Sequence, residues 1–277
     1  MRTIVITGAT SGVGRALVYA FAKLGDAVIA IGRNEDRLNE LLTSLNEAYK
    51  THHVKILTAD FASLQAIADA IKTLESSMAT EGIDALIHNA AIVPRKKKRT
   101  KDGFELQYQV NHLAVVFLTL KLRALVEKRH GTVIITGSQA HQRARFDDND
   151  LQAIKRYHPF RSYCRTKLYN LMFTHFARRR LSNNTIRYVC VHPGRVKTEI
   201  GTKDTTKLYA LFWKFFTRKG AHPDETVPTY LKLVKAKAIP EPYYYLGKPL
   251  KGKPLAEDAK KQAKLFQTAL KELKAYL

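Results

Sequence analysis

Four residues of this chain have the types and spacing to handle a proton at a carbonyl: Asn111, Ser138, Tyr163 and Lys167. A phenol is a poor base near neutrality, with an unperturbed pKa of about 10. Lys167 follows Tyr163 by four positions, so on a helix both side chains project from one face. An ammonium so placed favours the phenolate and should draw the phenol down. Tyr163 then gives a proton to a carbonyl oxygen or takes one from an alcohol. Ser138 hydrogen-bonds and orients that oxygen, and Asn111 anchors a water that links Lys167 to solvent. Taken singly, each of these residues is ordinary; a Tyr-x-x-x-Lys pair is most often a surface or half-buried pair.

Such chemistry needs a hydride, and the first stretch of the sequence offers a place for its carrier. Ile4-Val5-Ile6 reads as a strand, and Arg15 to Phe21 reads as a helix. Between them lies Thr7-Gly8-Ala9-Thr10-Ser11-Gly12-Val13-Gly14. Strand, glycine-rich turn and helix put a phosphate over a helix N-terminus, where unpaired N–H groups and the helix dipole favour negative charge. Gly8 lets the chain turn, Gly12 lets backbone approach a diphosphate, and Gly14 lets the helix pack on the strand. The spacing departs from G-x-G-x-x-G. After the second apolar run, Ala27 to Ile31, stands Arg33, where NAD-specific domains carry an acid. Its fork suits a 2′-phosphate and points to NADP(H), with NAD(H) as the other possibility.

The remaining elements follow in alternation. Asn34 caps a helix to about Ala48, and Val54–Thr58 is a third strand. Asp60 beyond it either meets an adenine amino group or caps the helix from Ser63 to about Ser76. Asp84–His88 is a fourth strand, closed by Asn89-Ala90-Ala91, where small side chains allow close approach of a cofactor. A long helix spans about 104–128 with Asn111 in its middle, although Asn is a mediocre helix former. Strand five runs from Gly131 to Ser138, and 139–159 is polar and irregular and is expected to surround the active site. A helix over 160–181 carries Tyr163 and Lys167. Strand six (185–191), a helix (224–236), a last strand at 242–247 and a final helix (256–275) complete the chain. The last helix is expected to bury a stripe of Ala259, Ala263, Phe266, Leu270 and Leu273. This order predicts an α/β fold with a Rossmann-type doubly wound parallel sheet of about seven strands, helices on both faces, in a single domain over 1–277.

Composition excludes several classes. The chain has 277 residues, 45% of them hydrophobic, and only two cysteines, Cys164 and Cys190. These are too few for a disulfide framework, so a reduced pair and a cytoplasmic location are expected. No run of eighteen apolar residues is found, so no transmembrane helix is expected. The formal net charge is +23. That charge suits contact with an anionic membrane surface or simply a solvated exterior. No nucleic-acid-binding module accompanies it, so no specific nucleic acid is expected as partner. The aromatic segment 208–216, within a loop at 200–220, reads as a lid over an apolar substrate, an interfacial helix, or core.

Taken in order, Thr7 to Gly14, Asp60, Asn89-Ala90-Ala91, Asn111, Ser138, Tyr163-x-x-x-Lys167 and Pro193-Gly194 with Thr198 resemble a classical short-chain dehydrogenase/reductase. Asp102-Gly103-Phe104-Glu105, Val110 to Leu113, Tyr163 to Asn170 and Val191 to Gly194 resemble its retinol dehydrogenase and WW-domain oxidoreductase branch. The resemblance implies a cofactor held by Gly8, Thr10, Ser11, Gly12, Val13 and Gly14, by Arg33, Asp60 and Phe61, and by Asn89 and Ala90. Tyr163 and Lys167, and then Pro193, Gly194, Val196 and Thr198, complete that set. Thr198 would contact the nicotinamide carboxamide, Lys167 the ribose, and Tyr163 would be the general acid/base. It implies no metal. Ala91 stands where the family has Gly, which tightens the pocket. The expected reaction interconverts a carbonyl and an alcohol, on a lipophilic aldehyde or ketone. The alternative is a non-catalytic NADP(H)-binding regulatory or scaffold protein. Helices 104–128 and 160–181 are where relatives pair, so a homodimer and a monomer are both readable.

Overall fold

The computed structural model describes residues 1–50, 52–155, 157–194 and 222–277. Val196, Thr198 and the segment 200–220 lie outside them. Eight strands form one sheet in the order β3-β2-β1-β4-β5-β6-β7-β8. They are β1 (Thr3–Thr7), β2 (Ala27–Gly32), β3 (Val54–Thr58), β4 (Ala85–His88), β5 (Thr132–Thr136), β6 (Arg187–His192), β7 (Tyr243–Tyr245) and β8 (Lys248–Pro249). The first seven run parallel, and β8 returns antiparallel against β7. The eighth strand is the addition to the expected seven. It forms because Leu246 and Gly247 both adopt positive φ and turn the chain tightly after Tyr245.

Among the described residues, seven helices cover the sheet: α1 (Gly12–Lys23), α2 (Glu35–Tyr49), α3 (Leu64–Ser77), α4 (Leu106–Lys128), α5 (Pro159–Arg180), α6 (Val227–Lys235) and α7 (Ala259–Glu272). Strand residues alternate between two apolar layers, as the pleat requires. Ile4, Ile6, Val28, Ala30, Ile134 and Val189 pack with α1, α2 and α6. Val5, Ile29, Ile31, Leu86, Val133 and Ile135 pack with α3, α4, α5 and α7. Asn34 caps α2, accepting from Arg37 N at 2.8 Å, and Ser63 caps α3 in the same way. The buried face of α7 is Gln262, Leu265, Ala269 and Leu273, while Ala259 is exposed. The expected stripe is rotated because Phe266 lies at its flank, 4.3 Å from the Phe176 ring.

One helix stands out in composition. By length and composition, α4 is long and apolar enough to cross a membrane, yet most of it is buried inside the fold. A helix apolar nearly all round is what a position in the middle of a covered layer demands. Arg178 likewise departs from a plain surface charge. Its guanidinium donates to the carbonyls of Tyr188, Ile239 and Pro240, tying α5 to the approach to β7.

The two edges of the sheet differ in kind. At the amino-terminal edge of the parallel strands, polar groups lace neighbouring segments. Arg2 pairs with Asp26 at 2.7 Å, and Asp84 accepts from Thr3 N at 2.8 Å and pairs with Arg129. At the carboxyl edge the strands open into loops. The order reverses between the neighbouring strands β1 and β4, and a crevice at such a reversal is where open α/β sheets bind ligands.

Candidate active site

The crevice is a cavity of about 730 Å³ that runs along the carboxyl edge. Its first wall is the turn after β1. Gly8 has φ +68°, and a Cβ there would lie 2.8 Å from Ala90 Cα. A Cβ on Gly14 would lie 2.1 Å from the Gly8 carbonyl oxygen. These two positions admit only hydrogen because α1 and the β4 exit both press on the turn. The first turn of α1 holds no acidic residue, and Ser11 makes no side-chain capping bond to it. Its N–H groups therefore face the crevice as an anion site. Thr7 closes the wall behind them. Its hydroxyl accepts from Asn89 N and Ala90 N at 3.0 and 3.1 Å, and the Asn89 amide donates to Gly8 O.

Every expected site residue within the described part lines this cavity except two. Gly8, Thr10, Ser11, Gly12, Val13, Arg33, Asp60, Phe61, Asn89, Ala90, Ser138, Tyr163, Lys167, Pro193 and Gly194 are all on its surface. Gly14 sits behind the turn, as its packing contact requires. Asn111 is the other. Asp60 also turns the chain, accepting from Ala62 N at 3.0 Å, while the helix cap itself is Ser63.

Asn111 lies in a wide, π-type turn over Gln109–Leu113 that interrupts α4. This is the reason for a polar residue in mid-helix. Its side chain clamps the loop after β4, accepting from Ile92 N at 2.8 Å and donating to Ile92 O at 3.0 Å. It also donates to Thr166 Oγ1 at 3.3 Å. Its own carbonyl accepts from Asn170 Nδ2 at 2.9 Å. Asn111 therefore positions the Ile92 loop.

Ser138 and Tyr163 share the cavity wall, and the Ser138 side chain favours the ionised form of the phenol. Lys167 extends beside them, its Nζ 5.6 Å from the Tyr163 ring centroid, and donates to Thr136 O at 2.7 Å. The electrostatics overturn one expectation. Burial raises the Tyr163 phenol to about 12, partly offset by the Ser138 side chain. Burial also lowers Lys167 to about 8. Desolvation is the largest influence on the phenol, and the Lys167 ammonium is engaged by the Thr136 carbonyl. Tyr163 therefore holds its proton at neutral pH.

His141 was not marked by its place in an irregular sequence segment. Its Nε2 accepts from Lys253 N at 3.1 Å, which puts the proton on Nδ1, 2.7 Å from Ser138 O. It fixes the Ser138 backbone, and burial favours its neutral form. Gln142 and Arg143, from the segment expected to surround the site, are also on its wall, and Lys98 and Phe160 are walls missed in the sequence. Their signal lies only in where the loops fold. Cys164 and Cys190 are both free and buried.

The profile of the short chain dehydrogenase family matches residues 2–208. The chain belongs to this family. It is 31% identical over 223 residues to human retinol dehydrogenase 13, covering 76% of this chain and 66% of that protein. The chain thus matches just under two thirds of that relative's length. It is 34% identical over 274 residues to a Streptomyces sp. (strain C5) protein provisionally named a daunorubicin C-13 ketoreductase, covering 97% of this chain and 91% of the relative. These likenesses place it in the retinol dehydrogenase branch. A short-chain dehydrogenase from Sphingobium yanoikuyae, solved in complex with NADPH, superposes with a TM-score of 0.65 at 21% identity. That match covers 99% of this chain and 96% of the other, and it establishes the shared fold.

Proposed function

We propose that the protein is an NADP(H)-dependent oxidoreductase that interconverts a carbonyl and an alcohol on a lipophilic aldehyde or ketone. The observation that carries this reading is the Tyr163–Ser138 pair on the same cavity wall system that begins at the Gly8–Gly12 turn. The α1 N-terminus would hold the diphosphate and Arg33 the 2′-phosphate. Asn89 and Ala90 would lie along the dinucleotide, and Lys167 beside its second ribose. When bound, the cofactor supplies or accepts the hydride. The chain does the rest. Ser138 orients the substrate oxygen, Tyr163 delivers its retained proton to that oxygen during reduction, and Ile92, Val93, Leu106 and Val110 keep water away. The NADPH in the Sphingobium structure and the ketoreductase name of the Streptomyces relative agree with this reading.

Tyr163→Phe removes the proton donor and keeps the packing. NADPH oxidation across a panel of aldehydes and ketones should fall by at least about a hundredfold. Undiminished turnover would overturn the mechanism. Arg33→Ala should weaken NADPH much more than NADH; equal effects on both would remove Arg33 from phosphate recognition.

A further inference from the structure

The cavity wall is mixed in character. Ile92, Val93, Leu106 and Phe160 give it apolar surface, and two exposed cations, Lys98 and Arg143, line it as well. The acid on the cavity wall is Asp60, which belongs to the β3 exit at the dinucleotide end. Among the described residues neither Lys98 nor Arg143 has an acidic partner. This part of the described lining is therefore net positive.

Both cations stand on fixed backbone. Lys253 Nζ donates to the carbonyls of Gln142 and Ala144, on either side of Arg143. The Arg143 guanidinium lies over the Phe160 ring, 5.9 Å from its centroid. Phe160 is three residues before Tyr163, so the two rings are neighbours on one helix face. The field of Arg143 also reaches the Cys164 thiol, the residue next to Tyr163. Lys98 O accepts from Leu106 N at 3.0 Å, which holds Lys98 at the start of α4. A guanidinium stacked on an aromatic ring keeps its outward N–H groups available for a planar anion.

We propose that the substrate is amphiphilic: a carbonyl carried on an apolar body that ends in an anionic group, with Arg143 and Lys98 as the residues that read that group. The proposal rests on the oxidoreductase reading and narrows its substrate class. The apolar wall takes the chain, the Ser138–Tyr163 pair takes the carbonyl, and the two cations take the charge.

The test has two arms. In the first, a straight-chain ω-oxo fatty acid and its methyl ester are compared as substrates with NADPH. The acid should be preferred in kcat/KM by about tenfold, mainly through KM, a step that corresponds to about 1.4 kcal/mol. The preference should fade as salt rises. In the Lys98→Gln/Arg143→Gln double variant the ratio should fall to about one, and Lys98→Arg/Arg143→Lys should restore it. In the second arm, decanoate and decan-1-ol are titrated calorimetrically into the protein with and without NADPH. Decanoate should bind more tightly, and the glutamine variant should lose the difference while its NADPH affinity stays the same. Equal binding of acid and alcohol, a preference that survives the glutamine changes, or a loss of NADPH affinity would each overturn the proposal. Decanoate binding that depends on the two cations, with no turnover of any carbonyl, would sustain it and sink the oxidoreductase reading instead.

Discussion

Replacing Asn111 with Ala tests whether this residue acts through the loop after β4. The side chain is 1% exposed and makes three hydrogen bonds, two of them to the backbone of Ile92. Its removal strands one N–H and one C=O, and each lost partner of a buried group costs about 1–3 kcal/mol. Water entering the vacated space recovers part of this, which leaves roughly 3 kcal/mol. For a chain of this length the melting entropy is about 0.6 kcal/mol per degree, so the expected drop in Tm is about 5 °C. Thr166→Val removes the third bond together with the Thr166 hydroxyl's own bond to Tyr163 O, and should cost about 1–2 kcal/mol. Thermal unfolding by circular dichroism reads both. Because Ile92, Val93 and Pro94 line the cavity, kcat/KM should fall in Asn111→Ala even well below its Tm. A Tm within about a degree of wild type would refute the clamp and return Asn111 to a solvent-linking role.

Two further outcomes follow from the geometry. Gly14→Ala should destabilise the protein by about 2 kcal/mol or more, because the added methyl meets the Gly8 carbonyl at 2.1 Å, and overpacking outweighs the better helix propensity of Ala. A neutral or stabilising result in denaturant melts would show that the turn is not tightly packed. Lys167 holds its proton less tightly in the fold, at about 8, than in the unfolded chain near 10.5. Between those values the unfolded state binds more protons, so wild type should gain stability relative to Lys167→Met as pH rises, by about 2 kcal/mol from about pH 7.5 to about pH 9.5. Urea melts at the two pH values read the difference; a constant or shrinking gap would mean that Lys167 is not desolvated.

Strands β1 to β6 were legible because each is a short apolar run between turn residues, and burial on both faces makes such runs continuous. Asn34 and the Gly8–Gly14 turn were legible for local reasons of capping and backbone freedom. That Tyr163 and Lys167 reach one cavity wall was legible because four residues on a helix bring both to one face. What was not legible depends on distant partners. Nothing near Asn111 says that its amide will meet Ile92. The phenol of Tyr163 was expected to be drawn down, since the sequence shows the ammonium but not the desolvation or the Thr136 carbonyl that takes the ammonium. His141 fixes Ser138 only because Lys253, over a hundred positions away, arrives beside it. Arg143 and Lys98 read as ordinary surface cations until the loops that carry them converge.

The difference between the two edges of the sheet has a practical side. Anchoring groups such as Arg2, Asp26, Asp84 and Arg129 sit where the parallel strands begin, and the cavity sits where they end. A strand's length separates tuning of robustness from tuning of selectivity. Loops at the beginning edge can be shortened, recharged or joined to a tag, and altered folding strength need not bring altered substrate choice. Variation at the opposite edge, in the Pro94–Lys98 and Gln139–Ala144 loops, can retarget the enzyme while the frame that holds it stays as it is.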